Sequence, residues 1–203
     1  MSKYGNSRIF PTILTVVIII VAIVGIVALA RVIFSSLSSN NNASSQASSA
    51  ATAALLDSSA GVSTTMSVRG PIVADEEFRS YRITITPSER RIETFKGYLE
   101  NTIEKQTFPN NVAAYEQFVH ALNKANFTSA RNLSEAKNEL RGVCATGRLY
   151  EFSTLKNNQT NQHLWTSTCS GSQGSLRANS TQLTQLFVNQ IPGAAATVRQ
   201  LSI

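Results

Sequence analysis

The chain has 203 residues, of which 18 are Lys or Arg and 12 are Asp or Glu, so its formal net charge is +6. The basic residues form no run, and a surplus of this size is usually spread over a solvated surface, so the sequence predicts no nucleic-acid partner. The motifs of zinc proteases, dithiol redox sites, serine hydrolases and phosphate-binding loops are absent from the sequence. Composition and motifs therefore predict no cofactor, no metal ion and no catalytic residue.

A long uncharged stretch lies near the N-terminus. Ile9 to Ala30 are 22 residues without a charged side chain. At about 1.5 Å of rise per residue they span about 33 Å, close to the roughly 30 Å hydrocarbon core of a bilayer. The sequence therefore predicts a single transmembrane helix over residues 9–34.

The charges that flank this stretch predict its orientation. Lys3 and Arg8 precede it, whereas only Arg31 follows directly, and the more basic side stays in the cytoplasm. Paired cysteines persist outside the reducing cytosol, so the two cysteines of the chain favour the same orientation. We expect a cytoplasmic segment over residues 1–8 and an extracytoplasmic C-terminal part at the cell membrane.

Two other interpretations of the N-terminus remain. Ala28 and Ala30 offer a cleavage site for a signal peptide, although the apolar region of a signal peptide runs only about 7–15 residues. A type IV pilin also begins with a basic leader and a long apolar helix. It has a glutamate near the start of that helix, and this chain has no acidic residue before Asp57.

A stretch of low complexity follows. Residues 35–66 are rich in Ser, Asn and Ala, and Asp57 is their only charged residue. Such a composition has too little apolar surface to offset the entropy of ordering. The sequence predicts a flexible linker over residues 35–66 and one extracytoplasmic domain over residues 67–203.

Alternating apolar residues predict strands in the first half of that domain. In residues 78–86 Tyr81, Ile83 and Ile85 fall on one face, which is the period of a half-buried strand. Residues 90–108 predict two further strands, interrupted at Gly97.

Three stretches with helical periodicity follow. The first, residues 112–127, has Asn110 or Asn111 as its N-cap. The second is a short helix over residues 132–140, and the third begins after Asn179 and ends at Pro192-Gly193. The sequence therefore predicts an α+β fold, in which antiparallel strands are packed by two or three helices and joined by one disulfide.

The two cysteines, Cys144 and Cys169, enclose a predicted β-hairpin. Its turn lies near Asn157 and Asn158, and apolar and aromatic flanks suit two strands. A tight turn there pairs even-numbered residues of the first strand with odd-numbered residues of the second. This register brings the cysteines within reach of a disulfide at the base of the hairpin. It also predicts an aromatic face of Tyr150, Phe152 and Trp165.

The remaining candidates for chemistry have simpler interpretations. His120 borders the apolar stripe of its helix and His163 lies in the hairpin, so we expect structural positions for both. The carboxylates Asp75, Glu76 and Glu77 are adjacent along the chain, as solvated runs usually are. Tyr150 with Trp165 is a candidate aromatic ligand platform, although core packing accounts for both side chains equally well.

The run "QTFPNNVAAYEQFVHALNKANFT", with "CATGRLYEF", "LWTSTC" and "LFVNQIP" further on, resembles small membrane-anchored exported domains of uncharacterised bacterial proteins of candidate phyla. The resemblance implies a bacterial cell surface and brings no activity with it. We expect a membrane-tethered extracytoplasmic interaction module without enzymatic activity, whose partner is an envelope or host-surface protein or a glycan. The alternative is an exported hydrolase or an accessory subunit of an enzyme.

Overall fold

The computed structural model describes residues 46–201. Ser48–Ile203 form one compact unit, and Met1–Ala47 form a separate unit of which only the last two residues are described. The predicted segments 1–8 and 9–34 therefore lie outside the described residues. Within the described range, no helix combines the length and the hydrophobicity that a bilayer-crossing helix needs.

The domain has an α+β fold built on one antiparallel sheet of six strands, in the order β4-β3-β2-β1-β5-β6. The first four strands follow one another as a meander, and β5 returns to pair with β1 on its free side. The strands are β1 (Val62–Arg69), β2 (Arg79–Ile85), β3 (Glu89–Lys96), β4 (Asn101–Pro109), β5 (Leu149–Lys156) and β6 (Gln159–Ser167).

Four of the five described helices pack on one face of this sheet, which we call the helix face. On this face Met66 of β1 pairs with Ile83 of β2 and with Phe152 of β5, and all three side chains are fully buried. Phe187 of α4 packs against Phe152 with 6.1 Å between the ring centroids. The helices are α1 (46–56), α2 (Val112–Lys124), α3 (Glu135–Asn138), α4 (Ser180–Val188) and α5 (Ala194–Gln200).

The opposite face of the sheet, which we call the open face, is polar. It carries Ser67, which pairs with Arg82 on one side and with Glu151 on the other. Alternation of apolar and polar side chains along the strands produces the two faces, since successive residues of a strand point to opposite sides.

The predicted linker is wrong for residues 46–66. Residues 46–56 form α1, and β1 begins at Val62 rather than after the predicted boundary at Ser67. Leu55 and Met66 are fully buried in the core. The polar residues of β1 are small Ser and Thr, which are also common in linkers. They form a strand here because the neighbouring strands provide a surface to pack on. Residues 35–45 of the predicted linker lie outside the described range.

The three predicted helices are present, and each is shorter than predicted; α2, for example, ends at Lys124 rather than at residue 127. Asn111 caps α2 by accepting a hydrogen bond from the backbone N–H of Ala114, 2.9 Å away. The short predicted helix over 132–140 is reduced to α3, a single turn. α4 ends at Val188, before the predicted stop at Pro192-Gly193, and the chain then forms α5 directly after that dipeptide. Gly193 makes the connection with a φ of 76°, a conformation that favours glycine.

A bulge changes the predicted face of Trp165 in the β5–β6 hairpin. The turn lies at Asn157 and Asn158, as predicted, and both have positive φ. The register then shifts between Thr154 and Leu155 because Asn161 is an extra residue on β6. Phe152 therefore pairs with Leu164, and Trp165 lies opposite Glu151. One extra residue moves every later side chain of a strand to the other face.

Trp165 is consequently buried outside the main core. Its indole lies on the open face and is only 3 % exposed. Asn138 of α3 accepts a hydrogen bond from Nε1, 2.7 Å away. The backbone of Trp165 is paired with the segment that follows β6: its N–H donates to Ser175 Oγ and its carbonyl accepts from the N–H of Leu176.

Candidate functional site

A cavity of about 600 Å³ lies on the helix face, between the sheet and helices α4 and α5. Its floor is a row across three strands, in which Val68 of β1 pairs with Tyr81 of β2 and with Tyr150 of β5. A volume of this size falls within the range of about 300–1,000 Å³ that is typical of small-ligand sites. The cavity is therefore the candidate site of the domain.

The two tyrosines give the floor of the cavity polar groups. Tyr81 is 3 % exposed, yet its hydroxyl makes no hydrogen bond with any group in residues 46–201. Burial and then the neighbouring Tyr150 raise the pKa of Tyr81, while the nearby Arg148 guanidinium lowers it. Because the net shift is upward, the hydroxyl of Tyr81 keeps its proton at neutral pH and can donate it in a hydrogen bond.

Two arginines complete the polar part of the lining. Arg148 directly precedes β5, and Arg199 belongs to α5. All Asp and Glu residues of the chain lie within the described range, and none of them forms an ion pair with either guanidinium. Thr184 of α4 adds a buried hydroxyl without a hydrogen-bond partner.

The rest of the lining is apolar. Val188 of α4 lies one turn after Thr184, and Ala195 and Val198 lie on one side of α5. Within the described part of the chain, no histidine, carboxylate, cysteine or lysine lines the cavity. The residues present can hold a ligand by apolar contact and by donating hydrogen bonds, and they include no general base for acid–base chemistry.

A smaller polar cleft of about 240 Å³ lies on the open face at the same end of the sheet. Its charges are already paired: Arg69 contacts Glu151 at 2.9 Å, and Arg82 contacts Glu100 at 2.9 Å. Buried Ser80 also lines the cleft, and its hydroxyl has no partner in the described part of the chain. The cleft is electrically balanced, in contrast to the cavity on the helix face.

Glu151 joins this cleft to the predicted candidate His163. The carboxylate is 3.0 Å from His163 Nε2 and 2.9 Å from Arg69. Burial by itself raises the pKa of Glu151, but the hydrogen bond with His163 and the charge of Arg69 outweigh burial and lower it. The carboxylate is therefore held ionised as part of a surface network.

The predicted disulfide is present. Cys144 and Cys169 are bonded, with 5.3 Å between their Cα atoms. The bond lies at the open end of the β5–β6 hairpin, where the Arg148 carbonyl accepts a hydrogen bond from the N–H of Thr168. It therefore fixes the segment that carries Arg148 to the end of β6.

The predicted aromatic face is divided between the two sides of the sheet. Tyr150 and Phe152 lie on the helix face, and Trp165 lies on the open face. Tyr150 and Trp165 therefore do not form a common ligand platform. Phe152 is a core residue, and Tyr150 alone of the three contributes to the cavity.

The remaining predicted candidates do not converge. His120 is exposed on α2, whereas His163 lies on the open face of the sheet. Asp75 accepts a hydrogen bond from the N–H of Tyr98, 2.7 Å away, which joins the loop after β1 to the β3–β4 turn. Within residues 46–201, no group of three or more His, Cys, Asp or Glu side chains is placed to hold a metal ion.

Sequence reasoning missed most residues of the cavity. Tyr81, Arg148 and Arg199 are far apart along the chain and belong to no motif. The one available signal was the alternation that placed Tyr81 on an inward face. No protein-family model, no curated protein and no solved structure matches this chain.

Proposed function

We propose that this protein is a membrane-tethered extracytoplasmic module that binds a small ligand and has no catalytic activity of its own. The observation that carries the proposal is the cavity lined by the buried, unpartnered hydroxyl of Thr184 and by the hydroxyl of Tyr81. Buried polar groups are almost always hydrogen-bonded in folded proteins. A hydroxyl that faces a cavity without a partner is consistent with a ligand that completes its hydrogen bonding.

The tether and the location rest on the sequence and on the disulfide. The uncharged stretch from Ile9 to Ala30 has the length of a membrane span. The bond between Cys144 and Cys169 is of a kind that persists outside the cytosol. Protease added to intact cells is expected to remove the domain and leave the membrane-bound segment. Full protection of the domain would contradict the proposed topology.

Binding is best tested on a fragment that contains the whole core. All core residues lie between Leu55 and Leu201, and the disulfide lies within the same range. A fragment of residues 46–203 therefore holds every described contact of the domain. Its folding is checked by circular dichroism and by the fluorescence of Trp165.

An uncharged fluorescent probe tests for an accessible apolar site. N-phenyl-1-naphthylamine, which fluoresces in apolar surroundings, is expected to bind the fragment with one probe per domain. Ala195→Trp fills the cavity and should abolish binding, because Ala195 lines it. Ala196→Trp is the matched control, since both alanines are exposed and only Ala195 lines the cavity. Absence of binding, or equal binding by both variants, would contradict the proposal.

A second candidate function is the docking of a partner protein at an exposed apolar turn. Leu99, at the β3–β4 turn, is 88 % exposed. Its neighbour Tyr98 stacks on Phe78 with 4.2 Å between the ring centroids and donates a hydrogen bond to the carbonyl of Val73. Leu99 therefore lies beside two further exposed apolar residues, Tyr98 and Val73, and contiguous exposed apolar surface often marks a protein contact site.

Affinity capture from envelope extract separates this candidate from the first. Leu99→Lys should lose a partner protein that the unmodified fragment captures. Val112→Lys is the control, because Val112 is also an exposed apolar residue and lies away from this turn, at the start of α2. Equal capture by both variants would rule out the turn as the contact site.

A further inference from the structure

The polar groups that line the cavity on the helix face are donors at neutral pH. The guanidinium groups of Arg148 and Arg199 donate only. The hydroxyls of Tyr81, Tyr150 and Thr184 have protons to donate, and none of these three is engaged in a hydrogen bond within residues 46–201. No carboxylate of residues 46–201 lines the cavity. A ligand that satisfies the two guanidinium groups must supply acceptor atoms, and the three hydroxyls, which can also accept, are able to donate to the same atoms.

Among the described residues, the lining of the cavity also carries two guanidinium charges that no Asp or Glu side chain pairs. Neither Arg148 nor Arg199 has an ion-pair partner among the Asp and Glu residues, all of which are described. Arginine forms strong, charge-assisted hydrogen bonds with carboxylate and phosphate oxygens. The acceptor group that suits these surroundings is an oxyanion.

The walls next to these donors are apolar. Val188 of α4 and Val198 of α5 face the cavity above the row of Tyr81, Val68 and Tyr150. An ion without an apolar part would leave these walls in contact with water. Burial of an alkyl chain there contributes roughly 0.8 kcal/mol per methylene group.

We propose that the cavity binds an amphipathic anion, a ligand with an alkyl or aryl body that ends in a carboxylate or a phosphate. Arg148, with the hydroxyls of Tyr81 and Tyr150, holds the oxyanion, Arg199 adds a second positive charge, and the apolar body lies against α4 and α5. The inference rests on the proposed function, because it uses the same cavity and names the class of its ligand.

Four ligands of equal chain length test the head group. Octanoate, octyl phosphate, 1-octanol and octylammonium are titrated into the fragment of residues 46–203 by isothermal calorimetry. Octanoate or octyl phosphate should bind at least about tenfold more tightly than 1-octanol, which is the low end of what a charge-assisted hydrogen bond contributes. Octylammonium should bind most weakly. The ratio of octanoate to octyl phosphate distinguishes a carboxylate from a phosphate as the natural head group.

Two substitutions test the residues. Arg148→Met should weaken binding of the preferred anion about tenfold and leave 1-octanol unchanged. Arg141→Met removes the same charge from an exposed arginine outside the cavity and is the control. Tyr81→Phe keeps the ring and removes the hydroxyl. It should therefore weaken binding of the preferred anion and leave binding of 1-octanol unchanged. A purely structural role of Tyr81 would affect both ligands equally.

The outcomes separate the inference from the proposed function. Equal affinity for all four ligands, or binding of N-phenyl-1-naphthylamine without binding of either anion, would overturn the inference and leave the cavity as a binding site. If neither the probe nor any of the four ligands binds, both proposals fail. Loss of anion binding by Arg141→Met to the same extent as by Arg148→Met would also overturn the inference, because the effect would then be one of net charge.

Discussion

Trp165 and Asn138 are joined by a hydrogen bond of 2.7 Å, from the indole Nε1 to the side-chain carbonyl oxygen. The contact ties α3, a single turn in a long connection, to the open face of the sheet. The indole is 3 % exposed and lies outside the main core. The bond therefore links α3 directly to the buried indole.

Replacing the acceptor, Asn138, should increase the exposure of the Trp165 indole. Asn138→Ala leaves a buried indole N–H unpaired, which costs about 1–3 kcal/mol. We expect that decrease in the free energy of unfolding in urea, and a red shift of tryptophan emission. Lys137→Ala, in the same helix, is the control and should change neither quantity. Unchanged emission of the Asn138→Ala variant would mean that the bond does not keep the indole buried.

Gly174 supports the same indole from the segment after β6. A Cβ at this position would lie 2.1 Å from the carbonyl oxygen of Trp165, and its φ is +66°. Gly171 has a φ of +88° with open space around it. Gly171→Ala should cost about 1–2 kcal/mol for the left-handed conformation alone. Gly174→Ala should cost clearly more, since the backbone must also move. Equal thermal stability of the two variants would contradict this account.

Loss of the disulfide should destabilise the hairpin. Cys144→Ser combined with Cys169→Ser is expected to lower the free energy of unfolding by about 2–5 kcal/mol, the usual range for a native disulfide in a small exported domain. Solvent quenching of Trp165 should increase as the end of β6 loosens. The unmodified protein under reducing conditions should reach the same stability as the variant. Two free thiols in natively purified protein would refute the bond.

The pair of Asp57 and Lys156 should give a measurable pH dependence. The hydrogen bond from Lys156, 2.7 Å long, is the main cause that lowers the pKa of Asp57 from 3.8 to about 2. A lowered pKa in the folded state adds stability above the unfolded value of 3.8, and this stability is lost as the pH falls towards about 2. Carbon NMR titration of Asp57 should give a midpoint near the lower value.

Removing the lysine tests the cause of that shift. In Lys156→Met the midpoint of Asp57 should move back towards 3.8. Lys124→Met, which removes a lysine outside the pair, should leave it in place. A midpoint that stays low in Lys156→Met would show that the backbone N–H of Ser59, the second cause, dominates instead.

The first helix offers a test of where the domain begins. Leu55 is fully buried and its neighbour Leu56 only partly. Leu55→Ala should therefore cost about 2–5 kcal/mol of unfolding free energy, and Leu56→Ala less. If residues 46–66 were a flexible linker, both substitutions would be neutral. Chemical denaturation of the fragment of residues 46–203 distinguishes the two cases.

The sequence by itself determined the features that depend on local chemistry. Periodicity located β2 to β4 and α2. The cap candidates, Asn110 or Asn111 for α2 and Asn179 for α4, located two helix starts, and the paired asparagines located the hairpin turn. These signals lie within a few residues of the element that they specify, so they need no knowledge of the rest of the fold.

Only the tertiary structure decided where the domain begins and which face each side chain takes. The small Ser and Thr residues of β1 did not predict a strand from the sequence. The segment is a strand because β2 and β5 pair with it on both sides. The extra residue Asn161 moved Trp165 to the open face, and no local pattern marks it. The cavity unites Tyr81, Arg148 and Arg199 across much of the chain, since strand pairing and helix packing bring distant residues together without any motif in the sequence.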